Sequence, residues 1–237
     1  HNALEYAPMF DGQGHASSHL TAVLPGRLRG RYWCVPGPID TNLPPGTWDL
    51  TIRRGLEHEP IFDRIEVEPG ARVMKTYRPE RWIRMREYGW YSGDDHVHSR
   101  LMTDGDAERL MALIQAEDVN LANIVLMGDI HRTYFQQRGW GEAYRVQEGP
   151  YVLSPGQECP RTHSQLGHTL MMNTDELVRD PDRYYLYDWV FDRVHEQGGL
   201  AGYAHVHSGI FHVHRDMTLN IPKQKVDFVE VMQKGAL

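Results

Sequence analysis

The sequence predicts an α/β protein in which a small antiparallel β-sandwich precedes a distorted, partial β/α barrel. Two patterns lead to this fold class. Up to about residue 77, apolar and polar side chains alternate with the period of two that is typical of half-buried strands. After residue 89, segments with helical spacing alternate with short apolar runs, as in a mostly parallel sheet or barrel whose strands are joined by helices.

The first part of the chain carries the strand patterns. Trp48, Leu50 and Ile52 share one face of a predicted strand, because side chains at i and i+2 point the same way. Further strand-like runs, and the Pro-Gly turn signals that separate them, lie at 31–35, 44–46, 61–67, 68–70 and 73–77. We therefore expect residues 1–80 to form the β-sandwich domain and residues 81–237 to form the second domain.

The second part carries the helix-strand alternation. Ala107, Leu110 and Ile114 lie on one face of a predicted helix, for which Asp104 is a candidate N-cap. A buried strand, a second helix and two more strands are predicted at 124–127, 187–194, 200–204 and 226–231. A closed barrel needs about 200 residues or more, and fewer than that remain after residue 89. We therefore expect an open or partial barrel that is incomplete at its C-terminal side.

Composition and charge narrow the classes of function. With 41% hydrophobic and 24% charged residues, the chain is an ordinary globular sequence, and no apolar run is long enough to span a bilayer. The net charge of -7 argues against a general nucleic-acid binder. Cys34 and Cys159 are too few for a disulfide scaffold. A secreted or periplasmic location after removal of a leader and a cytoplasmic location both stay open.

The sequence is rich in histidine, and the positions of the histidines are informative. Ten of the 14 histidines come after residue 94, and they include the pair His96 and His98 in the segment Asp94-Asp95-His96-Val97-His98. On a strand these two side chains project from the same face, so they can bind one metal together. Two further His-x-His pairs occur, at 205–207 and 212–214. This one-sided enrichment indicates metal chemistry in the second part of the chain.

Ligand-type residues also follow the predicted strands. Asp129 and His131 come after the run 124–127, Glu158 comes after 151–153, and His205 comes after 200–204. In α/β barrels the active site forms at these carboxyl ends of the strands. Nitrogen and carboxylate ligands without thiolate suit Zn, Mn or Fe in a site with open coordination positions.

The segment Gly89-Trp90-Tyr91-Ser92-Gly93-Asp94-Asp95-His96-Val97-His98 resembles the opening motif of the PHP (polymerase and histidinol phosphatase) superfamily, particularly its carbaryl-hydrolase-like branch. Gly156-Gln157-Glu158, Gly167-His168 and the segment 199–205 resemble later elements of that family. The resemblance implies a distorted barrel around two or three divalent metals. Carried over position by position, it implies these metal ligands: His96, His98, Glu158, His168 and His205.

Two further metal ligands are implied less directly. Asp104 in Thr103-Asp104-Gly105 resembles the acidic residue of the family's Ser-Asp-Gly element, with helix capping as the alternative role. The family has an adjacent Asp-His pair where Ile130 here separates Asp129 from His131, and of these two we favour His131 as the ligand.

Other positions depart from the family pattern. Val206-His207 stands where the family has Pro after Ala-His, so we assign His207, together with His163 on a predicted substrate-facing loop, to substrate binding or catalysis. The family's late Asp-x-His pair has no counterpart. Either the barrel is incomplete, or one of three residues substitutes for it: His212, His214 or Asp216.

The chain lacks the sequence motifs of other hydrolytic mechanisms. No Gly-x-Ser-x-Gly nucleophile motif and no phosphate-binding Gly-x-x-x-x-Gly-Lys loop are present. We therefore expect a metal-dependent hydrolase that uses metal-activated water on a phosphoester, ester or amide bond of a small-molecule substrate. Aryl carbamate or amide hydrolysis is the alternative within that class. A non-catalytic metal-containing binding protein is the alternative outside it, and association into a homo-oligomer stays open.

Overall fold

A computed structural model of the chain describes residues 20–23, 31–34, 38, 40, 42–162, 166–206, 214 and 216–231. The strands in this part of the chain are β1 (Leu20–Val23), β2 (Arg31–Cys34), β3 (Gly46–Ile52), β4 (Ile61–Val67), β5 (Gly93–Val97), β6 (Leu121–Gly128), β7 (Thr133–Tyr134), β8 (Val146–Glu148), β9 (Tyr151–Glu158), β10 (Arg161–Thr162), β11 (Gly167–Met172), β12 (Leu200–Tyr203) and β13 (Phe228–Val229). The α-helices are α1 (Asp104–Ala116), α2 (Tyr187–Glu196) and α3 (Met217–Asn220).

The described residues divide into two compact units. The first unit comprises those within His1–Ser92 and Arg109–Asn120, and the second comprises those within Gly93–Glu108 and Leu121–Leu237. None of the helices in the described ranges is both long enough and apolar enough to cross a membrane.

In the first unit, the described strands form two separate antiparallel pairs. β1 pairs with β2, and β3 pairs with β4 over its whole length. Trp48 stands opposite Ile65, and the neighbouring pair is an ion pair in which Arg64 Nε donates to Asp49 Oδ1 at 2.6 Å. The strands predicted at 31–35, 48–52 and 61–67 are thus confirmed, whereas the run 73–77 forms no strand. The packing of these strands into a sandwich stays a prediction.

In the second unit, six strands form a continuous sheet in the order β13-β12-β11-β9-β6-β5. The short strands β7, β8 and β10 pair with β6, β9 and β11, respectively. β5, β6 and β9 are mutually parallel, and so are β12 and β13. β11 runs antiparallel to both of its neighbours. The chain is therefore a mixed α/β protein, as the sequence predicts.

β11 is an exception to the predicted, mostly parallel sheet, because the other five strands of the six-strand path run in one direction. Only residues 159–166 separate β9 from β11, and no helix is described among them. A parallel connection needs a crossover of about a dozen residues or more, so a link this short leaves the antiparallel arrangement. As a result, the N-terminal end of β11 lies at the same edge of the sheet as the C-terminal ends of β5, β9 and β12.

The sheet is curled but its path does not close. Its terminal strands are β5 and β13, and they do not pair with each other in the described part of the chain. The curl nevertheless brings their side chains together, because His96 Nδ1 on β5 lies 2.9 Å from Glu230 Oε1, directly after β13. The sheet is thus a half-barrel, in agreement with the open or partial barrel that the sequence predicts. A full β/α barrel is not confirmed.

The core of this unit forms where α2 covers the sheet. Val190, Phe191 and Val194, on one face of α2, pack with Met171 of β11 and Tyr203 of β12. All five side chains are essentially buried. The helical spacing seen in the sequence therefore identifies the face of α2 that packs on β11 and β12. These two strands position the predicted ligands His168 and His205.

The N-terminus of α1 is capped by a residue other than the predicted one. Thr103 Oγ1 accepts a hydrogen bond from the Asp106 N–H at 3.1 Å, and Asp106 Oδ2 accepts one from the Thr103 N–H at 3.0 Å. This reciprocal pair is a capping box, and it places the cap at Thr103 rather than at Asp104. The Asp104 carboxylate points outward because it occupies the first turn of the helix itself.

Candidate metal centre

Five of the side chains predicted as metal ligands converge at one edge of the curled sheet. Glu158 ends β9, and its side chain is 1% exposed. The four histidines come from the ends of three other strands at the same edge: His96 and His98 at β5, His168 at the start of β11, and His205 just beyond β12. The reversed direction of β11 is what allows a residue near its beginning to join residues at the ends of its neighbours.

The first group of donor atoms consists of His96, His98 and one oxygen of Glu158. The two Nε2 atoms lie 3.1 Å apart. Glu158 Oε2 lies 2.7 Å from Nε2 of His98 and 3.5 Å from Nε2 of His96. The i, i+2 spacing at the end of β5 thus directs both rings at the same carboxylate oxygen.

The second group uses the other oxygen of the same carboxylate. Glu158 Oε1 lies 2.6 Å from His168 Nδ1 and 3.3 Å from His205 Nε2. The two ring nitrogens are 3.0 Å apart. Each oxygen of Glu158 therefore faces its own pair of histidines, so the carboxylate stands between two groups of three donor atoms.

The spacing of these atoms suits a metal ion in each group. Two nitrogen ligands at about 2.0–2.1 Å from a tetrahedral zinc lie about 3.3 Å apart. The nitrogen separations of 3.1 and 3.0 Å in the two groups are close to that value. Two imidazoles and one carboxylate oxygen per group leave coordination positions open, as catalytic rather than closed structural sites do. The residues present could therefore hold a metal ion, and Glu158 belongs to both groups of donor atoms.

The electrostatics of the cluster favour a charged carboxylate at its centre. Burial by itself raises the pKa of Glu158, but hydrogen bonds to His168, His205, His96 and His98 outweigh it and hold that pKa far below its usual range. Burial lowers the pKa of His168 to about 4, against the opposing effect of Glu158. His168 is therefore neutral near pH 7, which is the form that binds metals.

His96 differs from His168 because it faces two carboxylates. Burial lowers its pKa, but hydrogen bonds to Glu158 and Glu230 outweigh this and raise the pKa to about 10. A carboxylate can only accept, so the 2.9 Å contact to Glu230 Oε1 requires Nδ1 of His96 to donate. When His96 is neutral and binds a metal, its free lone pair is therefore on Nε2, the nitrogen that faces Glu158 and His98.

Glu230 is the residue that sequence reasoning missed. Besides its contact with His96, its Oε2 accepts a hydrogen bond from the backbone N–H of His205. Its contact with the His96 ring is the arrangement by which outer carboxylates fix the ring orientation of metal-binding histidines, whereas at His205 it holds the backbone. The signal was present, because Glu230 lies near the end of the predicted strand 226–231, as several of the predicted ligands lie at the ends of theirs.

Two predicted metal ligands lie elsewhere. Asp104 is 90% exposed, and its Oδ1 accepts a hydrogen bond from Arg138 at 2.7 Å. His131 is exposed, and its backbone N–H donates to Asp129 Oδ1 at 2.8 Å. Neither residue belongs to the two groups of donor atoms found among the described residues.

The remaining candidates do not join the cluster in the described part of the chain. The predicted catalytic residues His163 and His207 lie outside the described residues, as does His212. His214 is buried, with its ring 6.2 Å from the ring of His205. Asp216 Oδ2 accepts a hydrogen bond from Asn220 at 3.1 Å. Neither His214 nor Asp216 extends the groups of donor atoms found among the described residues.

Comparison of the chain with family models, with curated proteins and with solved structures finds no match.

Proposed function

We propose that the protein is a metal-dependent hydrolase with a two-metal centre bridged by Glu158. The observation that carries this proposal is the position of the Glu158 carboxylate, whose two oxygens each face a separate pair of histidine nitrogens. Two-metal hydrolytic centres are spaced about 3.5–4 Å apart, a distance that a bridging carboxylate spans. The resemblance of the opening segment to the PHP superfamily supports the same assignment.

A metal pair in such a centre supplies a water nucleophile of lowered pKa and polarises the oxygen of the bond to be cleaved. The chain's own residues hold and orient the centre. Glu158 keeps its negative charge at every pH near neutrality, and Glu230 holds the Nδ1 proton of His96. His98 lies at the solvent side, with 38% of its side chain exposed, so we place substrate entry beside it.

The bond class rests on the resemblance rather than on the geometry. We propose phosphoesters of small molecules as the first substrate class, with Zn²⁺, Mn²⁺ or Fe²⁺ as the metal. Aryl carbamates and amides are the second class. A panel of p-nitrophenyl phosphates against nitrophenyl and naphthyl esters separates the two, and faster turnover of the carbon esters would reverse this order.

Metal content and chelation test the proposal. We expect protein purified without chelator to contain about two equivalents of metal, and hydrolysis to disappear with chelator and return when the metal is added back. His98→Ala should abolish hydrolysis. The matched control is His131→Ala, which removes an exposed histidine outside the donor groups and should change neither metal content nor hydrolysis.

Two results would contradict the proposal. Protein that holds no metal and takes up none on titration would exclude the metal centre. Protein that binds metal but turns over no member of the panel would favour a non-catalytic metal-binding protein instead.

A further inference from the structure

Phe135 covers one face of the most exposed ligand. Its ring is stacked on the ring of His98, with 5.2 Å between the centroids and 14° between the planes. The side chain of His98 is 38% exposed, whereas those of the other four ligands are 14% exposed or less. His98 is therefore the ligand whose orientation the surrounding core restrains least.

The backbone at Phe135 is strained. Its φ angle is +55°, in the left-handed region that aromatic residues rarely adopt. Such a conformation persists only where the surrounding structure enforces it, and these conformations concentrate at sites where they serve function.

Hydrogen bonds enforce the conformation and tie it to His98. Gln137 Nε2 donates to the carbonyl of Phe135 at 2.8 Å and to the carbonyl of Ser99 at 3.2 Å. Two backbone bonds join the same segments, from Leu101 N–H to Gln136 O and from Arg138 N–H to Leu101 O. The segment 135–138 is thus fixed alongside residues 99–101, directly after His98.

We propose that Phe135 is a positioning residue of the metal centre, whose ring holds His98 with Nε2 directed at Glu158 Oε2. The inference rests on the proposed function only in requiring that the centre binds metal. A ring stacked on His98 limits its rotation and excludes water from one face of it. The strained φ angle of Phe135 is the conformational cost of placing its ring against His98.

Titration of the metal-free full chain with Co²⁺ tests the proposal. Phe135→Ala should weaken one of two Co²⁺ binding events roughly tenfold, the lower end of the range for residues that orient ligands, and leave the other unchanged. Phe135→Tyr keeps a ring at this place and should retain the affinity. In a His98→Ala background, Phe135→Ala should have no further effect on Co²⁺ affinity.

A glycine variant separates positioning from stability. Phe135→Gly removes the ring but also relieves the strain, so its metal-free form should unfold at a higher temperature than that of Phe135→Ala. Both variants should nevertheless lose the same Co²⁺ affinity. Gln224→Gly is the matched control, because Gln224 is exposed with a φ of +59° and should gain stability without any change in Co²⁺ binding.

Several outcomes would overturn the inference. These are equal Co²⁺ affinity in the wild type and Phe135→Ala, recovery of affinity in Phe135→Gly, or a further loss in the His98→Ala background. Failure of the proposed function looks different: the wild-type chain would then either bind no Co²⁺ at all, or bind it without hydrolysing any substrate of the panel while the Phe135 variants keep their predicted differences in Co²⁺ affinity.

Discussion

At the scale of single residues, Glu158 is the side chain that the two groups of donor atoms share. Both groups of donor atoms depend on its carboxylate, while each histidine belongs to one group. We therefore expect Glu158→Gln to lose both metal equivalents and His168→Ala to lose one, measured by elemental analysis after dialysis. One equivalent retained by Glu158→Gln would show that the carboxylate does not bridge.

The residue scale also shows what the sequence can reveal about the site. His96 and His98 were predictable because their spacing on a strand fixes a shared face, and Glu158 and His205 because they follow buried runs. Asp104 and His131 are also of residue types that bind metals, but a helix start and an exposed loop direct them elsewhere. Residue type and order along the chain do not specify these local directions.

At the scale of elements, the capping box of α1 predicts a pH-dependent contribution to stability. Burial raises the pKa of Asp106, but hydrogen bonds from Met102, Arg100 and Thr103 outweigh it and lower the pKa to about 2. Because the folded-state pKa lies below the unfolded one, the stabilisation is complete above about pH 4 and is lost as pH falls through about 2.

Asp106→Ala should therefore cost about 1 kcal/mol in free energy of unfolding at pH 7, and less as the pH approaches 2. Urea unfolding at a series of pH values measures this. Asp104→Ala, in the same helical turn but exposed, is the control and should cost less than about 0.5 kcal/mol. Equal costs for the two variants would contradict the assignment of the cap.

A glycine on strand β9 leads to a second prediction about the stability of the fold. A Cβ on Gly156 would lie 2.0 Å from Oδ1 of Asn123. The Asn123 side chain is buried, and its Nδ2 donates a hydrogen bond to the carbonyl of Asp95 at 2.9 Å. Gly156 shares a face of β9 with Glu158, so the glycine makes room for this amide on the face of β9 that carries Glu158.

We expect Gly156→Ala to destabilise the fold by about 1–3 kcal/mol, the usual cost of overpacking a core. Chemical denaturation measures the difference. Gly93→Ala, at a position on β5 where the nearest atom would be 3.6 Å from the new Cβ, should cost less than Gly156→Ala. A neutral Gly156→Ala variant would show that Asn123 can move.

At the scale of the whole molecule, the curl of the sheet joins the two ends of the second unit. Sequence patterns predicted an α/β fold with an incomplete barrel, but they gave no information on which strands would be neighbours or on the reversal of β11. Glu230 was missed for that reason. Its role depends on β5 and β13 approaching each other across the curl, a contact between distant segments that no local period encodes.

Metal removal should act on the whole unit, because the ligands come from β5, β9, β11 and the segment after β12. A ligand that binds only the folded state stabilises it by about 4 kcal/mol when its concentration is a thousand times its Kd. We expect chelation to lower the midpoint of thermal unfolding in the wild type but not in Glu158→Gln, as measured by calorimetry. Equal midpoints with and without metal in the wild type would argue against binding at these strands.

Anomalous diffraction from crystals grown with Zn²⁺ or Mn²⁺ tests the central claim most directly. Two peaks are predicted about 3.5–4 Å apart, one between Glu158 and the pair His96 and His98, the other between Glu158 and the pair His168 and His205. The absence of any peak at Glu158, or a single peak that leaves one histidine pair without metal, would contradict the two-metal centre.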